Sequence, residues 1–163
     1  MPRPRVYVET TIPSAYYPLR NSPGAIELRD ITRTWWSRAK AECEMLTSAV
    51  VEDELEKGPG ADTTLRLALT KGLEVLGRSP EITETARELV RQKVMPGGKS
   101  DDAYHLALAM HYHCDVLVSW DRAHLANPNK TLHIRRISER LGLLAPAILT
   151  PREHLRRIDG RAL

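Results

Sequence analysis

Four acidic residues stand where a fold could gather them: Glu9 after Val6-Tyr7-Val8, Glu54 within Glu52-Asp53-Glu54-Leu55, Asp102 within Ser100-Asp101-Asp102, and Asp121 soon after Val116-Leu117-Val118. In an open parallel sheet, ligands bind beyond the carboxyl ends of the strands. Glu9 and Asp121 fall at such ends, while Glu54 and Asp102 lie at or near helix starts that follow loops on the same edge. Carboxylates brought together repel one another and rise in pKa unless cations occupy the cluster. Hard oxygen donors of this kind favour Mg2+ or Mn2+ over zinc. Such a cluster suits phosphodiester hydrolysis, with one ion activating water and a second stabilising the leaving oxygen. Each acid alone has a plainer reading: Glu9 and Asp121 as turn residues, Glu54 as part of a solvated acidic run, and Asp102 as a favourable charge at a helix N-terminus. Their joint placement is what points to a site.

The neighbours of these acids extend the pattern. Thr10 and Thr11 could supply hydroxyls to a metal shell or a phosphate, or cap a helix. His105 could orient a ligand carboxylate, touch a phosphate, or be a satisfied structural histidine. His124, three residues beyond Asp121, is a candidate substrate contact. Asp101 points about 100° away from Asp102 on a helix and reads as a cap or as a partner four residues before His105. His111 and His113 look solvated. Trp35 and Trp36 are adjacent, so one of them is expected to be exposed, for a partner surface or for base stacking. Trp120 walls the pocket or joins the core.

Alternating elements must position these groups. Val6–Val8 is a short apolar strand, followed by a turn at Thr10–Ser14 with Thr11 or Ser14 as a helix cap. A long amphipathic helix spans about Ile26 to Glu42. Met45–Thr47 is the next strand, with Ser48 capping a helix from Ala49 to about Glu56. Another helix ends at Gly72, then Leu73–Leu76 is a strand and Ser79-Pro80 opens a helix to about Lys93. Pro96-Gly97-Gly98 is a loop. Ser100 to about His113 is helical, Val116–Val118 a strand, Leu132–Leu141 a helix, Ala147–Leu149 a last strand, and Thr150-Pro151 the start of a final helix. This alternation implies an α/β fold with a mainly parallel sheet, in one domain over residues 1–163.

Composition is that of a soluble globular domain, with 42% hydrophobic and 28% charged residues. No signal peptide or membrane-spanning run is visible, so the expectation is a cytoplasmic protein with no membrane association. Cys43 and Cys114 are expected to remain structural thiols. The net charge of +3 is uneven: residues 130–163 carry eight Lys/Arg against three Asp/Glu. That basic segment either forms a solvated helix face or attracts a polyanion. Arg135, Arg136, Arg140, Arg152, Arg156 and Arg157 could follow a phosphate backbone, in which case binding should weaken steeply with salt.

At the four acids the sequence resembles the PIN domain family, the nucleases that include VapC-type toxins. The run Val6-Tyr7-Val8-Glu9-Thr10-Thr11-Ile12-Pro13-Ser14 is similar to the first block of one bacterial subgroup, in which Glu stands where most members have Asp. Thr47-Ser48-Ala49-Val50-Val51-Glu52-Asp53-Glu54 resembles the strand-to-helix segment that carries the second acid. Ser100-Asp101-Asp102-Ala103-Tyr104-His105 is the most specific block. Val118-Ser119-Trp120-Asp121 resembles the fourth, and its acid, often Asn in that subgroup, here follows the broad family. The resemblance implies a three-layer α/β/α sandwich and metal-dependent cleavage of RNA, with Glu9, Glu54, Asp102 and Asp121 as catalytic residues. Glu9, Asp102 and Asp121 would hold Mg2+ or Mn2+, with Thr10, His105 and His124 near substrate. It also implies an antitoxin partner in a type II toxin–antitoxin pair, and a homodimer. A non-catalytic module on the same scaffold, binding nucleic acid or protein, is the alternative.

Overall fold

The structure, a computed structural model, describes residues 2–95 and 100–161. Strands and helices alternate: β1 (Arg5–Val8), α1 (Thr11–Tyr16), α2 (Pro23–Glu42), β2 (Glu44–Ser48), α3 (Ala49–Lys57), α4 (Thr63–Lys71), β3 (Glu74–Leu76), α5 (Pro80–Arg91), α6 (Ser100–His111), β4 (Val116–Val118), α7 (Thr131–Arg140), β5 (Ala147–Leu149) and α8 (Pro151–Arg161). A short 3-10 turn, Pro128–Lys130, precedes α7. Among the described residues five strands form one sheet in the order β3-β2-β1-β4-β5, and every pair is parallel. The chain builds outward from β1 to β3, then returns to place β4 on the other side of β1. That reversal makes the gap between β1 and β4 the topological switch point, where crossovers leave opposite ways and a crevice opens.

The alternation of side chains along each strand feeds two cores. Tyr7, Leu46, Leu76 and Leu117 face one, with α3, α5, α6 and α7. Val6, Val8, Met45, Val116 and Val118 face the other, with α1 and α2. The arrangement is a three-layer α/β/α sandwich. Helix α6 is buried at every position from Ala103 to Met110, because it lies beneath the sheet and against α5. Serines start three helices: Ser22, Ser48 and Ser79 each accept a backbone N–H from three residues on. Thr150 and Glu153 close the start of α8 reciprocally, through Thr150 Oγ1 from Glu153 N and Glu153 Oε1 from Thr150 N.

Several expectations are corrected. Thr10–Ser14 is not an open turn but leads into α1, and neither Thr11 nor Ser14 caps it: Ser14 Oγ donates back to Thr10 O, and Thr11 is used elsewhere. Trp35 and Trp36 are both buried, at 0% and 8% exposure. Helix α2 packs on α1, α8 and β2 at once, so its covered arc is wide enough to hold two adjacent side chains. Trp35 Nε1 donates to His154 Nδ1 at 2.9 Å, and Trp36 meets Tyr16 edge-on. Trp120 belongs to this same side, its Nε1 donating to Thr32 Oγ1 at 2.9 Å. His111 is half-buried and bonded to Thr85 Oγ1, while His113 is exposed. The Pro96-Gly97-Gly98 loop and the residue preceding α6 lie outside the described residues. Cys43 and Cys114 are buried thiols, and burial pushes the Cys114 thiol up to about 12. No helix among the described residues is long and apolar enough to cross a membrane.

Candidate active site

Strand β1 ends by delivering Glu9 into the switch point. Glu9 N donates to Val118 O at 3.3 Å, carrying the ladder one residue past β1 and fixing Glu9 beside the tip of β4. The carboxyl group is buried, at 3% residue exposure. Thr11 serves both of its oxygens, by N–H to Oε1 at 3.0 Å and by hydroxyl to Oε2 at 2.6 Å. The same hydroxyl accepts the Trp120 N–H at 2.8 Å and lies 3.5 Å from Ser119 Oγ. Thr11 thus ties Glu9 to the segment leaving β4. Burial raises the Glu9 pKa, and the charge of His105 with bonds from Ser119 and Thr11 offsets only part of that rise.

Thr10 serves the second acid. Its hydroxyl donates to Glu54 Oε1 at 3.1 Å, and His105 Nε2 meets the same oxygen at 2.5 Å. His105, fully buried on α6, has its Nδ1 2.7 Å from the Tyr7 hydroxyl. Tyr7 OH is in turn 2.7 Å from Ser48 Oγ, which accepts the Val51 N–H that starts α3. With His105 neutral, one orientation satisfies the chain of groups: Ser48 donates to Tyr7, Tyr7 to Nδ1, and Nε2–H to Glu54. Burial pushes the Tyr7 phenol well above its ordinary value, so it remains a hydroxyl. Burial also pushes His105 down, but the Glu54 bond and the charges of Glu9, Glu54 and Asp102 outweigh it, and its pKa is raised. For Glu54, burial pushes up and His105, Thr10 and Lys57 outweigh it, so the pKa is lowered.

Asp102 sits in the first turn of α6, half-buried, with Oδ2 shielded from solvent. Its charge acts on His105 alongside those of Glu9 and Glu54. The fold therefore brings three of the four acids around one buried histidine. Asp121 is placed differently, at the rim. Its N–H donates to Ser119 Oγ, its Oδ1 accepts His124 N–H at 3.1 Å, and its carbonyl accepts Ala126 N–H. It starts the turn after β4 and is linked to Glu9 through Ser119 and Thr11. His124 enters this arrangement through its backbone N–H. Asp101 is exposed, and the His105 ring turns instead to β1 and α3.

The donor set suits a hard divalent cation. It offers carboxylate oxygens at one sheet edge, and burial disfavours the Glu9 charge unless a countercharge is added. Among the described residues no three His, Cys, Asp or Glu side chains converge closely enough to hold an ion as they stand. Glu9 and Glu54 are instead turned onto their threonine and histidine donors. Binding would require these carboxylates to exchange a protein hydrogen bond for the ion.

Tyr7, Ser48 and Ser119 complete the site and were not singled out from sequence. Tyr7 carried a signal: a tyrosine between two valines in a fully buried strand needs a partner for its hydroxyl. Ser48 was readable as a cap, but its bond to Tyr7 spans 41 residues and leaves no local trace.

The chain matches the family model of the PIN domain over residues 6–130, a span that includes all four acids. A chain in the crystal structure of VapBC2 from Rickettsia felis bound to a DNA fragment from their promoter is similar in fold. It superposes with a TM-score of 0.57, at 15% identity, over 90% of this chain and 98% of that one. Among curated proteins none matches by sequence. PIN domains are a nuclease family that generally uses divalent metals, and the Glu9 edge lies within the matched span. This chain belongs to the PIN domain family.

Proposed function

We propose that this protein is a metal-dependent endoribonuclease acting at the edge formed by the ends of β1 and β4. The observation that carries the reading is Glu9, a buried carboxylate at the switch point whose ionised form burial penalises, next to two further acids sharing His105. Glu9, Asp102 and Asp121 would hold Mg2+ or Mn2+, which when bound supplies a Lewis acid and lowers the pKa of water for attack on a phosphodiester. Thr11 fixes the orientation of Glu9 and couples it to the Asp121 segment. His105 and Thr10 both act on Glu54 Oε1 and keep that group ionised. Held in this way, Glu54 would orient the attacking water by accepting its hydrogen bond. Buried and braced by Tyr7, His105 orients the acid and does not itself reach substrate.

RNA as substrate rests on the family resemblance, as do the toxin role, the homodimer and the cytoplasmic setting. VapBC2 of Rickettsia felis is a complex that binds promoter DNA, and its fold likeness supports a small antitoxin as the partner here. The second reading, a non-catalytic module, is favoured by one observation: Glu9 and Glu54 are already satisfied by protein donors. Titration with Mn2+ separates the two. A nuclease centre gains about 2.7 kcal/mol of stability at a hundredfold excess over Kd, read as a rise in melting temperature that Asp102→Asn removes. No rise in the wild-type protein would favour the non-catalytic module.

A further inference from the structure

We infer that a cationic cleft along the outer edge of β5 seats a nucleotide of single-stranded RNA flanking the cut, with its phosphate on Arg135 and Arg157. This rests on the ribonuclease reading of the acidic edge. The cleft has a volume of about 480 Å3 and is lined from α7, α8, β5 and the loop that follows Asp121. That size falls among small-ligand sites and suits one nucleotide.

Its lining has two characters. Leu125, Ile134 and Ile148 give an apolar floor, and Arg122, Arg135 and Arg157 stand with a single acid, Glu153. Glu153 is committed to the start of α8, where its Oε1 accepts the Thr150 hydroxyl at 2.9 Å, and it faces Arg122 at 3.8 Å. Arg135 and Arg157 pair with no carboxylate among the described residues, whereas Arg152 is paired with Glu27. Two uncommitted guanidiniums over an apolar floor match the parts of a nucleotide: bidentate donors for phosphate, and flat apolar surface for an unstacked base.

Position supports the same occupant. Arg122 directly follows Asp121, and Leu125, Ala126 and Asn127 belong to the turn that Asp121 holds through His124 N and Ala126 N. A strand leaving the acidic edge can follow this turn into the cleft. An extended acidic peptide pairing with β5 is the competing chemistry. Ala147 and Leu149 spend their backbone groups on the β4 side, through Ala147 N to Asp115 O and Leu149 O from Ser119 N. Only Ile148 in this strand of three residues faces outward, which offers a peptide little to pair with.

The test measures binding of a fluorescein-labelled single-stranded RNA of about twelve nucleotides, by anisotropy in EDTA with the full chain. Arg135→Gln with Arg157→Gln should weaken binding about tenfold or more. It should also reduce the slope of log affinity against log salt by about 0.7, the value for one phosphate neutralised on a single strand. In Mn2+-dependent cleavage the same variant should raise KM more than it lowers kcat. Arg87→Gln, on the exposed face of α5, should match wild type. Unchanged affinity and slope in the double variant would overturn the inference, as would intact RNA binding with lost binding of a poly-glutamate peptide. The EDTA measurement does not depend on cleavage, so a wild-type protein that binds RNA through these arginines yet never cuts it would refute the nuclease reading and leave the cleft standing.

Discussion

At the residue scale, Glu9 and His105 hold opposite electrostatic positions in one pocket. Glu9 is an acid whose charge is penalised, and His105 is a base whose charge is favoured. Replacing Glu9 with Gln removes the penalised charge and keeps the shape. The metal-free variant is expected to melt about 2–4 °C higher than wild type and to lose its Mn2+ response. A lower melting temperature with that response intact would contradict this role. The pair of His105 and Glu54 sets a pH dependence with a definite sign. His105 is raised from 6.5, so its contribution is complete below that value and lost as pH rises through the folded pKa. Glu54 is lowered from 4.5, so its contribution is present above that value and lost as pH falls through its folded pKa. Glu9, raised from 4.5, is penalised increasingly as pH rises. In EDTA the urea midpoint should therefore decline as pH rises above 6.5 and through the raised folded pKa of His105, and His105→Gln should flatten that decline. A wild-type midpoint that rises over this range would refute the coupling.

At the element scale, α3 and β1 are locked together by a serine that performs two tasks. Ser48 starts α3 by accepting Val51 N–H and also braces Tyr7 behind His105. Ser48→Ala should cost about 1–2 kcal/mol, the loss of a cap and of a buried partner, measured by urea unfolding. A cost near zero would mean that neither bond matters. The strands are legible as short runs rich in apolar residues and most helices as amphipathic segments opened by Ser or Pro or closed by Gly, and Glu9 is legible as the residue at a strand tip. Adjacent Trp35 and Trp36 predict one exposed ring only for a helix with one covered face, and α2 lies among three elements. The bond from Tyr7 to His105 joins residues 98 apart. Nothing in a local pattern encodes it; only the stacking of α6 beneath β1 does.

At the scale of the whole molecule, the strand order places β1 centrally and opens the crevice where its tip meets that of β4. Sequence sets Glu9 and Asp121 at strand ends and Glu54 and Asp102 near helix starts, but the strand order that decides which of them meet has no local trace. The fold separates them, with Glu9, Glu54 and Asp102 around His105 and Asp121 starting the turn that leads towards the arginine-lined cleft. The basic C-terminal segment is likewise divided, with Arg135 and Arg157 at that cleft and Arg152 paired to Glu27. Under the proposed function the acidic edge would hold the cation and the basic cleft would hold the polyanion. The most direct measurement is Mn2+-dependent cleavage of single-stranded RNA by the wild-type protein and by Asp102→Asn, with folding checked by circular dichroism. The wild type should cut, and the folded variant should be slower by more than about a hundredfold. Cleavage by folded Asp102→Asn at the wild-type rate would contradict the assignment of this edge as the catalytic centre.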